Sequence, residues 1–301
     1  MAGSTRVKDR ETTASRLLTS SARSSFDPDL DVDWDAPLDE GKPFMPLECV
    51  SLYGTSLWER LTDEQRIELS KHEITSIMQV GLWFEIILMQ MLTRYTYDLD
   101  PRSAHAQYAL TEIGDETRHS VMFARGAERL GVPNYGVPRV LHNLARIAGA
   151  TMAGPAMFAS VLVAEETLDR LQRAMMEDEN IQPLTRAISR IHVIEEARHV
   201  RYAREQLVRT MPKLGPVARR WHQFQTALVS YIVVDSFVDP RVYRSVGIDP
   251  AEGRRAAMAN PYYQATMRWL GGKIMPFLRE QGLVDGPGMP LWRRSNLLPV
   301  E

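Results

Sequence analysis

Two passages of this chain share one arrangement of residues: Asp115-Glu116-Thr117-Arg118-His119 and, further on, Glu195-Glu196-Ala197-Arg198-His199. Each reads acid-Glu-x-Arg-His, and the corresponding glutamates stand 196 − 116 = 80 residues apart. In an α-helix a step of three residues returns to nearly the same side, so each Glu-x-x-His pair aims a carboxylate and an imidazole at one spot. His192 stands one turn before Glu196 on the same face, and Glu112 holds the matching position in the first passage. Carboxylates and imidazoles converging in this way are donors for a metal ion. A single Glu-x-x-His is weak as a motif; two with matching neighbours are strong.

A helical di-metal site takes Glu-x-x-His from each of two helices and a lone glutamate from each of two others. Glu85 interrupts an apolar helix face made of Met78, Gly81, Leu82, Leu88, Met89 and Leu92. Glu165 shares its face with Phe158, Val161, Leu162 and Leu168, whereas Glu166 shares its own with Asp169 and Arg170, so Glu165 is the inward one. The offsets agree: 116 − 85 = 31 and 196 − 165 = 31. The chain therefore reads as two copies of one ligand-bearing helix hairpin. Four buried carboxylates need compensation, which two divalent cations supply. Oxygen and nitrogen donors without thiolate suit iron or manganese, with zinc as a further choice.

Ligating histidines need an acceptor for the other ring N–H. Asp115, Glu195, Asp169 and Asp235 are the acids placed to serve, Asp235 because it sits in an otherwise apolar helix. Arg118 and Arg198 either pair with these acids or form surface ion pairs. The residues alone leave His192 open between a seventh ligand and a partner of the ligands, and leave Glu112 between the same two roles with the partner role favoured. His72, His105, His142 and His222 have no ligand companions at helical spacing.

The elements that carry these residues read as helices. Thr62 and Gln65 form a capping-box pattern ahead of the helix with Glu85. Ser103 caps the helix of the first motif, which stops at Gly131. Pro138, Pro155, Pro183 and Pro216 suit first helical turns. The helix opened at Pro183 carries the second motif to about Met211, and shorter helices are expected over 249–259 and 262–282. No segment shows the period-two alternation of a strand. The expected fold is an all-α bundle: residues 1–45 an extended or disordered arm with a solvated acidic run over Asp27–Asp35, 46–285 one helical domain, 286–301 an irregular tail.

Composition narrows the class. With 301 residues, 44% apolar, 25% charged and a net charge of −2, the chain shows neither a nucleic-acid nor a membrane-surface footprint. Cys49 is the only cysteine, which excludes an internal disulfide or a cysteine-built cluster and suits a reducing cytoplasm. Residues 1–11 hold no apolar run and are not read as a signal peptide. The run Val80–Leu92 is interrupted by Glu85 and Gln90 and reads as too short and too polar for a membrane span.

On these motifs, over about residues 60–240, the chain resembles the ferritin-like di-iron carboxylate proteins, and more closely the p-aminobenzoate N-oxygenase family, whose second half carries His-x-x-x-Glu-x-x-His, here His192, Glu196 and His199. The resemblance implies a ferritin-like four-helix bundle with flanking helices and two iron ions, with manganese as the alternative metal. One iron would take Glu85, Glu116 and His119 and the other Glu165, His192, Glu196 and His199, with Glu116 and Glu196 shared. Dioxygen would be co-substrate, and an arylamine would be oxidised toward hydroxylamine and nitro products. Electrons would come from an external reductase or ferredoxin, because the chain has neither a cysteine cluster nor a dinucleotide fingerprint. A homodimer is implied. A ribonucleotide reductase small subunit is similar in outline but has a radical tyrosine where this chain has Phe123. Alternative readings are a di-iron hydroxylase or desaturase acting at carbon, a ferroxidase or other metal-binding protein, and a manganese catalase. Trp83, Phe84, Met122, Phe123 and Tyr231 are expected mainly as core, with a share in a pocket as the second role.

Overall fold

A computed structural model of the chain describes residues 9–299. Among these residues there are thirteen α-helices, four short 3-10 segments and no strand. The frame is four long helices: α4 (Asp63–Tyr97), α5 (Ala104–Arg129), α7 (Pro155–Glu177) and α8 (Pro183–Thr210). α4 packs along α5 and α7 along α8, so each half is an antiparallel hairpin, and the hairpins meet through α5 against α8 and α4 against α7.

Local chemistry sets these boundaries. The Thr62 hydroxyl accepts from Gln65 N while the Gln65 amide accepts from Thr62 N, closing the capping box at the start of α4. Ser103 accepts from Ala106 N at 3.1 Å to start α5. Gly131, at φ +64°, follows the last turn of α5 in the left-handed region that glycine adopts freely. Pro155 and Pro183 occupy first-turn positions of α7 and α8. Gly126 lets α5 and α8 come close: a Cβ there would lie 2.9 Å from Ile188 Cδ1.

The remaining elements clothe this frame. α1 (Arg10–Arg23) lies on α5 and α8, and α2 (Pro28–Asp31) and α3 (Ser56–Glu59) sit in the connection to α4. α6 (Arg139–Thr151) covers α4, and α9 (Pro216–Asp235) covers α7. α10 (Pro250–Ala259), α11 (Pro261–Gly271), α12 (Ile274–Glu280) and α13 (Met289–Arg294) close the far side. α7 is consequently central: every residue from Pro155 to Asp169 is buried, as expected of a helix apolar on nearly all sides. α4 is by length and composition apolar enough to cross a membrane, contrary to the reading of its sequence. In the bundle its buried face packs on α5 and α7 and holds Glu85 at its centre.

Four expectations are corrected. Residues 10–23 are not an extended arm but helix α1, capped by Asp9 and burying Thr13, Ala14, Leu17 and Ser21. That stripe has helical spacing but is built mostly from small, weakly apolar side chains, so it looked polar; residues 1–8 lie outside the described part. The C-terminal segment is not irregular, because α13 buries Trp292 completely. The expected helix over 262–282 is two helices, broken at Gly272-Lys273. The acidic run is not a free linker either: Asp27 caps α2 and Asp29 pairs with Arg125.

Candidate metal centre

Glu85 from α4, Glu116 and His119 from α5, Glu165 from α7, and His192, Glu196 and His199 from α8 converge between the two hairpins. All seven side chains are buried. Each donor comes from the middle of a long helix, where the main chain is fully hydrogen-bonded and holds the side chain stiffly.

Two imidazoles face the centre through Nδ1 and one through Nε2. Glu196 Oε1 lies 2.9 Å from His199 Nδ1 and 3.3 Å from His119 Nδ1. Glu116 spans the same pair, 3.4 Å from His119 Nδ1 through one oxygen and 3.1 Å from His199 Nδ1 through the other. His192 Nε2 lies 3.6 Å from Glu85 Oε1, 3.7 Å from Glu165 Oε2 and 3.8 Å from Glu196 Oε1. Four triads bring donor atoms within 4.8 Å of one another: Glu85–His119–His192, Glu165–His192–Glu196, Glu116–His119–Glu196 and Glu112–Glu116–His199. The grouping differs from the partition implied by the resemblance. His192 stands with Glu85 and His119 as well as with Glu165, and His199 stands with Glu112 and Glu116. Glu112 thus comes within ligand range itself.

The outward ring nitrogens are held across the two halves. His119 Nε2 meets Glu195 Oε2 at 2.9 Å, and His199 Nε2 meets Asp115 Oδ2 at 3.1 Å. Each motif's acid therefore serves the other motif's histidine. Arg198 lies 3.4 Å from both acids, and Arg118 bonds Asp115. The choice left open for these arginines resolves toward the acids. His192 uses a different acceptor, Gln172 Oε1, at 2.8 Å from Nδ1. Sequence reasoning missed Gln172, although it lies seven residues after Glu165 on the same face of α7. It also missed Ser120, whose hydroxyl donates to Glu85 Oε2 at 2.8 Å, and the segment after α1, where Phe26 N donates to Glu195 and Ser24 O accepts from Arg198. Asp235 is the correction here: it ends α9, half-exposed and paired with Arg254, and takes no part in the centre. Asp169 bonds Arg173 and Lys273. Glu166 is buried as well, but turned to a bidentate pair with Arg204.

The electrostatics fit a pair of cations. Burial, reinforced by Glu196, Glu116 and Glu85, pushes the Glu165 carboxyl well above its ordinary range. Burial likewise raises Glu85, and raises Glu112 to about 8 against the pull of His199. Burial opposes charge on His119, yet its bonds to Glu116, Glu195 and Glu196 carry it well above the usual imidazole value. Without a cation the cluster must keep extra protons to relieve carboxylate repulsion. Glu85 Oε1, Glu196 Oε2 and Glu112 Oε2 are buried with no hydrogen-bond partner. Orphaned buried oxygens of this kind are what a bound ion would satisfy.

A cavity of about 250 Å³ runs between α4, α6, α7 and α9 and reaches Glu165. Trp83 and Phe84 line it, whereas Tyr231 does not, and Met122 is plain core. A second space of about 10 Å³, bounded by Glu85, Glu165, His192 and Phe123, shares Phe84, Ala164 and Glu165 with it.

The family described as p-aminobenzoate N-oxygenase AurF matches residues 7–282. The uncharacterized protein Rv0885 of Mycobacterium tuberculosis (strain H37Rv) is 31% identical over 232 residues, 74% of this chain and 68% of its own. The uncharacterized protein Mb0909 of Mycobacterium bovis shows the same identity and coverage.

Proposed function

The chain belongs to the p-aminobenzoate N-oxygenase AurF family, and from that premise we propose that it is a di-iron oxygenase that transfers one atom of dioxygen to an amine nitrogen. The observation that carries this reading is the third imidazole: His192 turns Nε2 toward Glu85, Glu165 and Glu196 while Gln172 holds its other nitrogen. Glu116 and Glu196, each within reach of both His119 and His199, would help to hold the ions together with those imidazoles. Bound iron supplies reducing equivalents to dioxygen, which the side chains cannot do themselves. The chain's own part is to hold the donors in register, to keep bulk water out through burial of all seven, and to set the imidazole tautomers through Glu195, Asp115 and Gln172.

The reaction balances as amine plus dioxygen plus two electrons and two protons giving hydroxylamine plus water. One oxygen atom enters an N–H bond, the other leaves as water, and an external donor, a reductase or ferredoxin, supplies the electrons. The apolar cavity ending at Glu165 supports an organic substrate over iron storage, since a path for aqueous Fe²⁺ would need polar walls. The test has two parts. Metal analysis of protein grown with iron should give about two metal ions per chain, as seven converging donors require. Reduced protein given p-toluidine under ¹⁸O₂ should yield a hydroxylamine carrying one labelled oxygen. A single metal per chain, or label appearing only on carbon, would refute the proposal.

A further inference from the structure

The cavity that reaches Glu165 has a mouth and a chemistry. Of its lining residues, Leu144 and Ile147 on α6 and Trp221 on α9 are 51%, 60% and 57% exposed, so the opening lies between those two helices. The inner end is Glu165, only 6% exposed. Between them the walls are aliphatic and aromatic, with Trp83, Phe84 and Phe224 among the rings. Thr151, Ser160 and Gln225 are the neutral polar residues, and Glu165 is the one ionisable group among the described residues that line the space. No lysine, arginine or histidine is in that lining.

Volume and charge together select a ligand class. An apolar cavity of about 150 Å³ accepts benzene, so about 250 Å³ admits a ring with a modest substituent. An anionic substituent would enter with no cation among the lining side chains to meet it; burying an unpaired carboxylate is heavily disfavoured. We propose that the cavity selects uncharged arylamines bearing an apolar substituent, with the amine directed inward past Phe84 toward Glu165, and rejects arylamines bearing a carboxylate. The amine assignment rests on the oxygenase reading above; the charge selection rests on the cavity alone.

The experiment separates the two. Iron-loaded protein is titrated by calorimetry with p-toluidine, methyl 4-aminobenzoate and p-aminobenzoate, and each compound is then offered in single-turnover reactions. The two neutral amines should bind about a hundredfold more tightly than p-aminobenzoate, the discrimination expected when a buried charge finds no partner, and both should be oxidised at nitrogen. Thr151→Arg, at an exposed position of the wall, should raise p-aminobenzoate affinity at least tenfold, as a new charge pair would. Equal or tighter binding of p-aminobenzoate by the unaltered protein would overturn the charge selection whatever the turnover shows. Tight binding of p-toluidine with oxidation only at its methyl or ring carbon would overturn the amine assignment and with it the reading of N-oxygenation, leaving the charge selection standing.

Discussion

Gln172 shows how much one neutral side chain decides at this centre. An amide oxygen only accepts, so at 2.8 Å from Nδ1 it places the proton there and leaves the Nε2 lone pair facing Glu85, Glu165 and Glu196. The opposite amide orientation would put a proton on Nε2 and spoil the donor. Gln172→Leu keeps the volume and removes the acceptor. Iron affinity, followed by competition with a chelator, should fall 10- to 100-fold, the usual cost of losing such a partner, while the far-ultraviolet circular dichroism stays helical. An unchanged affinity would show that packing alone sets the ring. His119 and His199 are held by charged acceptors instead, with Arg118 and Arg198 neutralising those acids. Despite burial, Asp115 is kept below the usual carboxylate range by His199, Arg118 and Arg198, and Glu195 by His119 and the Phe26 N–H.

At the scale of elements, α4 carries a second buried acid with a separate task. Glu73 takes Ser51 N at 2.9 Å and Ser51 Oγ at 2.5 Å, tying the loop before α3 to α4, and Ser51 in turn meets the Tyr243 hydroxyl at 2.9 Å. Burial, only partly offset by the Ser51 bonds, pushes Glu73 up to about 7. Its folded value therefore lies above its unfolded one. Below the unfolded value both states are protonated and Glu73 costs nothing. As pH rises through the window from about 4.5 to about 7, the unfolded chain loses the proton first and stability falls. At about 1.4 kcal/mol per pH unit the loss amounts to roughly 3 kcal/mol. Glu73→Gln, which preserves the contacts with Ser51, should flatten that part of the stability curve. Urea denaturation at pH 5 and pH 7.5 measures it, and an equal pH slope in both proteins would remove Glu73 as the cause.

For the whole molecule, the segment preceding the bundle closes the centre. α1 lies over α5 and α8, and the residues after it bond the outer acids and arginines: Phe26 N to Glu195, Ser24 O to Arg198 and Ser25 to Arg118. Removing residues 1–27 would expose those groups to water and weaken every charge interaction among them. The truncated protein should remain helical, because the four-helix frame is untouched, yet release iron to a chelator at least tenfold faster. Release at the original rate would mean that the bundle alone retains the metal. The same scale explains Asp235. Its helix looks apolar because α9 covers α7, but the last turn runs out to the surface, where Asp235 finds Arg254.

The convergence of these candidate donors was legible in the sequence because helical register is a local property. Glu116 with His119, Glu196 with His199, His192 one turn earlier, and two lone glutamates at equal offsets all follow from 3.6 residues per turn and a repeated hairpin. The all-α bundle followed from caps, prolines and apolar periodicity for the same reason. What only the tertiary structure decided is how these faces are rotated against each other. That rotation pairs His119 with Glu195 and His199 with Asp115, across 76 and 84 residues, brings His192 beside Glu85, and places Glu112 among the donors. It also folds a polar-looking N-terminal stretch onto the centre and leaves an apolar channel between α6 and α9. Such pairings are not written in any one helix. They arise when side chains from distant segments compete to fill one core, and burial then makes each unpaired charge costly enough to choose its partner.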